Sequence, residues 1–301
     1  MNILILGNSS DTHAAHLKNV LTQAGARVDY LDTNLFPTQL RMSWNPNTQI
    51  GCLTLPEGRR LKLQEIHSIF WRTFSGVYIP QLKDSYQQQI AFNDSMSALR
   101  SFMQACPSRW VNSWQAYQFH KEKPLQLNKA KQIGVTIPDT LIGNHPEEIL
   151  EFVQIHEKVI FKPVYGGAHT QVLTEEHLEP KRLNLVLMLS PIAIQEYIPG
   201  TNVRSYVIGE SVYSAEIRSP AIDFREDTDA ELIPRELPEA VQQQSLAIAK
   251  AFMLDWTAID WRVKPNNEYI FLEANPSPMF IHFENETGFP ITQNLVNLLM
   301  N

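Results

Sequence analysis

Cysteine is scarce: the 301 residues hold Cys52 and Cys106, far apart and without metal-ligand spacing. That argues against a disulfide framework or a cysteine-held zinc, and leaves free thiols in a reducing cytoplasm as the expectation. No apolar run approaches the ~20 residues that a membrane helix requires. The opening MNILILGNSS is too short in its apolar run for a signal peptide and lacks a basic leader, so it reads as a buried first strand. Net positive charge is lacking as well. Twenty-five Lys and Arg against 32 Asp and Glu leave a formal charge of −7, which argues against broad binding to a nucleic-acid backbone while allowing a local basic groove. There is no GxxxxGK[ST] and hence no P-loop, and Gly7-Asn8-Ser9-Ser10 carries one glycine where a dinucleotide fingerprint needs three. It reads as a tight strand-to-helix turn. The nine histidines, His120, His169 and His282 among them, share no spacing that suits zinc.

What is present is an ordinary globular composition, 44% hydrophobic and 19% charged, in a chain long enough for two or three cores. The first third alternates strands with helices. Strands are expected at Asn2–Leu6, Arg27–Leu31, 68–71 and 109–112, and helices over 12–24, stopped by Gly25, and over 84–105, ended by Cys106-Pro107. Strand–helix–strand alternation implies a parallel sheet covered by helices. Residues 37–60 are polar, contain proline and show no periodicity that assigns them. From Tyr117 onward the pattern changes to a helix ending at Gly134, a strand near Thr140 and a helix over 146–156. It continues with the strand 158–164, the loop Tyr165-Gly166-Gly167-Ala168, a strand near 170–173, a helix, and the strand 192–198. Two hairpins follow. One joins 202–208 to 212–218 through Gly209-Glu210; the other joins Trp256–Val263 to 268–274 through Lys264-Pro265-Asn266-Asn267, with a helix over 238–252 between the two.

The last hairpin carries the chemistry. In FLEANP, Glu273 and Asn275 are two apart and share a strand face, while Leu272 and Ala274 point away. A turn centred on Asn266-Asn267 sets Asp260 directly opposite Glu273. Two carboxylates and an amide oxygen on one face are costly side by side unless a cation neutralises them, and hard oxygen ligands of this kind suit magnesium. A solvated face on an edge hairpin is the plainer reading, but Ile259, Ile270, Phe271 and Leu272 mark a well-packed strand pair. Upstream, Lys162 in VIFKPVYGG is a charge near the end of an apolar strand, with two glycines just beyond that permit close backbone approach to a phosphate.

In their order, KPLQLNKAKQIGVTIPDTLI, VIFKPVYGG, AIQEYIPGTNVRSYVIG and AIDWRVKPNNEYIFLEANPSP resemble the ATP-grasp superfamily. Within it the chain most resembles the microviridin-type, or graspetide, ligases that macrocyclise ribosomal peptides. PMFIHFENETGFPITQNLVNLL resembles their C-terminal segment and IFWRTFSG their N-domain arginine motif. The ribosomal-protein glutamate ligases are similar too. The resemblance implies an α/β (α+β) fold: a pre-ATP-grasp parallel-sheet domain at 1–112, a central subdomain at 113–196, and a C-terminal subdomain at 197–301 that clasps ATP with it. It implies ATP and Mg2+ as cofactors. Lys123, Lys162, Gly166 and Gly167 would hold phosphate, and Gln195, Glu196, Tyr197 and Ile198 would form the adenine hinge. Asp260, Glu273 and Asn275 would be the magnesium ligands. Arg204 and Arg218 would handle phosphate or substrate carboxylate, and Arg72, at the end of a parallel strand, would contact substrate. Glu284 and Glu286 are given no role.

One departure concerns Asn202, where the family's Asp-x-Arg reads Asn202-Val203-Arg204. The amide keeps hydrogen bonding but loses the charge that would orient Arg204, which puts ribose or substrate contacts there in doubt. Arginine geometry adds a check: a two-residue turn at Gly209-Glu210 sends Arg204 and Arg218 to opposite faces, whereas a three-residue turn or a bulge unites them, so the functional reading expects the latter.

The implied activity forms an acyl phosphate from ATP and a carboxylate, then an ester or amide, with a glycine-loop lid near Gly166-Gly167 excluding water. Three readings stand. The first is a macrocyclase acting on a precursor peptide, guided by its leader. The second is a ligase joining small molecules or adding amino acids to a protein tail, and the third a nucleotide-binding protein without turnover. Neither a nucleic acid nor a membrane is an expected partner, and homodimerisation is left open.

Overall fold

In the computed structural model, residues 1–165, 169–221, 224, 227 and 229–301 are described. The chain divides into two compact units. One comprises Met1–Trp114, Met279–Glu284 and Pro290–Asn301; the other comprises Gln115–Pro278 and Asn285–Phe289.

The first unit is built on β1 (Asn2–Leu6), α1 (Thr12–Gln23), β2 (Arg27–Leu31), β3 (Arg41–Asn45), β4 (Ile50–Thr54), β5 (Arg60–Lys62), β6 (Ile66–Trp71), α2 (Ser85–Ala105) and β7 (Arg109–Val111). β2, β1, β6 and β7 form the expected parallel sheet in that order. The Gly7–Ser10 turn uses its polar atoms locally: Asn8 Oδ1 accepts from the Ser10 amide and hydroxyl, and Asp11 caps α1 through the Ala14 amide at 2.8 Å. Residues 37–60, unassigned from sequence, fold mainly into the small antiparallel sheet β3-β4-β5. Its first turn is closed by Asn45, whose side chain accepts from the Asn47 and Thr48 amides.

The second unit begins within α3 (Trp114–Lys121) and continues through α4 (Lys123–Gln132), β8 (Thr140–Gly143), α5 (Pro146–Ile155), β9 (Val159–Pro163), β10 (Gln171–Val172), α6 (Pro180–Leu189) and β11 (Ile192–Glu196). β12 (Thr201–Ile208), β13 (Ser211–Arg218), β14 (Glu231–Pro234), α7 (Glu239–Ala251), β15 (Trp256–Val263) and β16 (Tyr269–Asn275) complete its sheets. One antiparallel sheet runs β10-β9-β11-β8 and the other β14-β13-β12-β15-β16. Val203, Val207, Ile259, Trp261 and Phe271 line one face of the larger sheet and pack on Leu127 and Ala130 of α4 and on Val241 and Ile248 of α7. The strands' alternation therefore leaves Asn202, Arg204, Asp260, Arg262 and Glu273 on the other face.

The chain ends with α8 (Ile281–Thr287) and α9 (Ile291–Met300). At the end of α9, the Leu298 and Leu299 carbonyls accept from Arg109 at 3.0 Å and Ser68 at 2.6 Å, which satisfies groups that a helix terminus leaves open. Among the described residues no helix is long and apolar enough to cross a membrane.

Candidate active site

The carboxylate face forms as expected, though by another route. The turn is not centred between Asn266 and Asn267. Lys264 and Glu268 close it, the Asn267 amide donates to Lys264, and Asn267 itself takes φ 64°. That turn sets Val263 opposite Tyr269, a register in which Asp260 would face Leu272 and Glu273 would point into the core. A register shift between Asp260 and Trp261 restores the pairing: Trp261 lies opposite Phe271, and Asp260 opposite Glu273. Leu272 is the extra residue of a bulge. Asn275, opposite Ala258, shares the face with Glu273 and Asp260.

The other hairpin corrects an expectation. β12 and β13 pair without interruption from Ile208 opposite Ser211 to Asn202 opposite Ile217, so the turn has two residues. Gly209 takes φ 58° at its first central position, as a two-residue turn of type II′ needs. Arg204 and Arg218 therefore point to opposite faces. Arg218 is largely exposed and ion-paired with Glu216 at 3.1 Å and Glu231 at 3.8 Å, away from the carboxylates.

Arg204 lies directly across from Asp260 and grips it with two bonds, Nε–Oδ1 at 2.7 Å and Nη2–Oδ2 at 2.8 Å. Burial by itself would lower the Arg204 pKa, but the charge and hydrogen bonds of Asp260 outweigh it and drive it upward. Lys123, at the start of α4, pairs with Glu273. Both carboxylates are thus neutralised by cations, the compensation a divalent ion would also supply, and the oxygen-only set of Asp260, Glu273 and Asn275 fits magnesium.

β16 is the edge of its sheet, and the helices before it cover that edge. Gln126, buried on α4, donates to the Ala274 carbonyl at 3.3 Å and accepts from the Ala274 amide at 3.2 Å. His120 Nδ1 reaches the same carbonyl at 3.2 Å. Burial, with the Lys123 charge adding, pushes the His120 pKa down to about 4 against Glu273 and the Ala274 carbonyl, so the ring is neutral at neutral pH. The peptide between Glu273 and Asn275 is thereby fixed from the helix side. Neither residue was singled out as a site residue from the sequence. For Gln126 a signal existed: it lies three after Lys123 and one before Leu127, a polar residue on the buried face of a helix.

Lys162 on β9 donates to Gln195 Oε1 at 3.3 Å, and Gln195 Nε2 donates to Thr140 Oγ1 at 2.8 Å. A cavity of about 260 Å³ brings together Lys123, Lys162, Leu272, Glu273 and Asn275. Asp260, Arg204 and residues 195–198 do not line it. Glu196 opens instead on an adjoining groove that shares Leu127, Thr140 and Ile142 with the cavity. In the first unit, Arg72 sits just beyond β6 and donates to Asp11 at 3.0 Å. Burial raises the Asp11 pKa, yet the Ala14 amide and the Arg72 guanidinium outweigh it and hold the carboxyl below its usual value. Gly166 and Gly167, and with them the expected lid, lie outside the described residues.

Residues 2–118 match the model of the MvdD pre-ATP-grasp domain, and residues 120–299 that of the RimK-like ATP-grasp domain. The chain belongs to the RimK-like ATP-grasp family. Among solved structures it is similar to macrocyclase MdnC of Microcystis aeruginosa, bound with precursor peptide MdnA: 28% identical, TM-score 0.87, covering 100% of both chains. A RiPP-associated ATP-grasp ligase of Chryseobacterium gregarium, in complex with ADP and a leader and core peptide, is 26% identical with TM-score 0.86, over 99% of this chain and 96% of that one. ATP-grasp ligase PsnB, with a phosphomimetic variant of its minimal precursor, Mg and ADP, is 25% identical with TM-score 0.86, over 99% and 97%. A curated relative, an uncharacterised protein of Methanocaldococcus jannaschii, is 25% identical over 177 residues; the match spans 58% of this chain and 44% of that protein.

Proposed function

We propose that this chain is an ATP-dependent carboxylate ligase that closes rings in a ribosomally made precursor peptide. The observation that carries the reading is end-to-end likeness, pre-grasp unit included, to ligases solved with precursor peptides. The RimK-like domain match alone also suits amino-acid addition to a protein or peptide tail. Likeness across the whole chain favours the peptide macrocyclase.

In this reading, Lys123 and Lys162 bind the phosphates of ATP while the main chain of 195–198 reads the adenine edge. Bound magnesium would supply charge neutralisation at the β- and γ-phosphoryl oxygens, held by Asp260, Glu273 and Asn275. A side-chain carboxylate of the peptide attacks the γ-phosphorus, and the acyl phosphate forms as ADP leaves. A hydroxyl or amine of the same peptide then attacks the acyl carbon and expels phosphate. Arg204, held beside Asp260, would offset charge on the transferring group. Arg218, on the other face, is left out of this set. A leader segment of the precursor guides binding, and two free thiols, Cys52 and Cys106, suit the reducing cytoplasm where such a peptide is made.

The test is mass spectrometry of Glu/Asp- and Ser/Thr/Lys-rich candidate precursors, incubated with enzyme, ATP and magnesium. Loss of one water per ring, with matching release of ADP and phosphate, is expected. A mass gain of whole amino acids on a peptide tail would transfer the protein to the second reading, and ATP binding without any product would leave a non-catalytic nucleotide binder.

A further inference from the structure

Residues 197–202, which run from the end of β11 into β12, meet β15 at four points. Gly200, at φ 138°, runs against the β15 backbone so closely that a Cβ would lie 1.9 Å from the Val263 carbonyl oxygen; no other residue fits. The neighbouring residue of β15, Arg262, donates from Nε to the Ile198 carbonyl at 2.9 Å, from Nη1 to Asn202 Oδ1 at 2.9 Å, and from Nη2 to the Tyr197 hydroxyl at 3.3 Å. Its guanidinium also lies 5.8 Å from the Tyr197 ring centroid, and Lys158 Nζ lies 4.1 Å from the same ring. Asn202 is buried and directly opposite Arg262 in the ladder.

We propose that Arg262, oriented by Asn202, is a positioning residue for nucleobase recognition. It holds the Ile198 peptide plane, and so aims the main chain of 195–198 at the base edge. The inference rests on the adenine-hinge reading proposed above. Its physical basis is the fork: a planar guanidinium meets three fixed acceptors at once, which a lysine ammonium on a flexible stem does not. The amide at Asn202 matters for the same reason. A carboxylate there would draw the guanidinium into an ion pair, whereas a neutral amide leaves its donors shared among a carbonyl, a hydroxyl and an amide oxygen. The departure from Asp thus acquires a role, acting through Arg262 rather than on Arg204.

The test is calorimetric binding of Mg-ATP and Mg-inosine triphosphate, which share ribose and phosphates and differ at the base edge, with steady-state kinetics alongside. For Arg262→Gln, ATP affinity is expected to fall about tenfold, the scale of a lost charge-assisted hydrogen bond, and inosine triphosphate affinity by less than about twofold. The kinetic loss falls on the KM for ATP rather than on kcat. Asn202→Ala repeats the pattern at about threefold, and carries the test if Arg262→Gln does not fold. Unchanged ATP affinity, or a parallel loss for both nucleotides, overturns the positioning role. A wild type with no preference for ATP overturns the hinge reading, and this inference with it.

Discussion

The β12–β13 hairpin runs unbroken from a two-residue turn, and its two arginines end on opposite faces. The β15–β16 hairpin closes on a longer turn and takes up one extra residue at Leu272, which brings Glu273 opposite Asp260. A bulge was expected in the first hairpin to unite a site; it is the second that has one. Side chains alternate with period two, so a single residue decides whether a charged group joins the polar face or points into the core. In the first hairpin Gly209 makes the tight turn cheap and nothing demands more. In the second, the alternative would direct Glu273 toward Phe252 and Trp261, a cost of several kcal/mol for an unpaired buried carboxylate.

Four experiments break or sharpen this contrast. The largest effect belongs to Glu273→Gln, which keeps shape and removes the charge: ATP-dependent product formation should fall at least about 100-fold with the fold intact by circular dichroism. Unchanged turnover would remove Glu273 from the metal set. Next, Arg204→Ala should cost about 3 kcal/mol in denaturant unfolding because Asp260 is left buried without its partner, while exposed Arg218→Ala should change stability by less than about 0.5 kcal/mol and turnover by less than about twofold. Equal losses from the two would abolish the distinction between the faces. Lys162→Met should weaken ATP binding about tenfold by calorimetry, since Lys162 faces the cavity from the other sheet. The smallest effect is in the turns. Asn267→Gly should be neutral or stabilising, while Gly209→Ala should cost about 1 kcal/mol, each read from thermal unfolding. A neutral Gly209→Ala would mean that the two-residue turn is not set by that glycine.

Much of this was legible in the sequence. The parallel sheet of the first unit, α2 and both hairpins follow from periodicity and turn residues. The pairing of Asp260 with Glu273 is reached from a turn whose register is off by one residue and a bulge that no local signal announces, two differences that cancel. Strands β3 to β5 escape because they are only three to five residues long and bury few side chains, and the Asn45-Pro46-Asn47 turn is their clearest mark. The partners of the charges escaped as well. Nothing in the spacing says that Lys123 meets Glu273 or that Gln126 stitches α4 to Ala274, because these contacts join residues about 150 apart. Asn202 stands out in the sequence as a departure, but nothing there marks its partner Arg262, 60 residues on.

A crystal structure with magnesium and a non-hydrolysable ATP analogue tests the central claim most directly. Asp260, Glu273 and Asn275 should turn their oxygens onto one or two ions at about 2.0–2.1 Å, with Arg204 and Lys123 released toward the phosphates. Those ion pairs kept intact, with the triphosphate bound elsewhere, would contradict it.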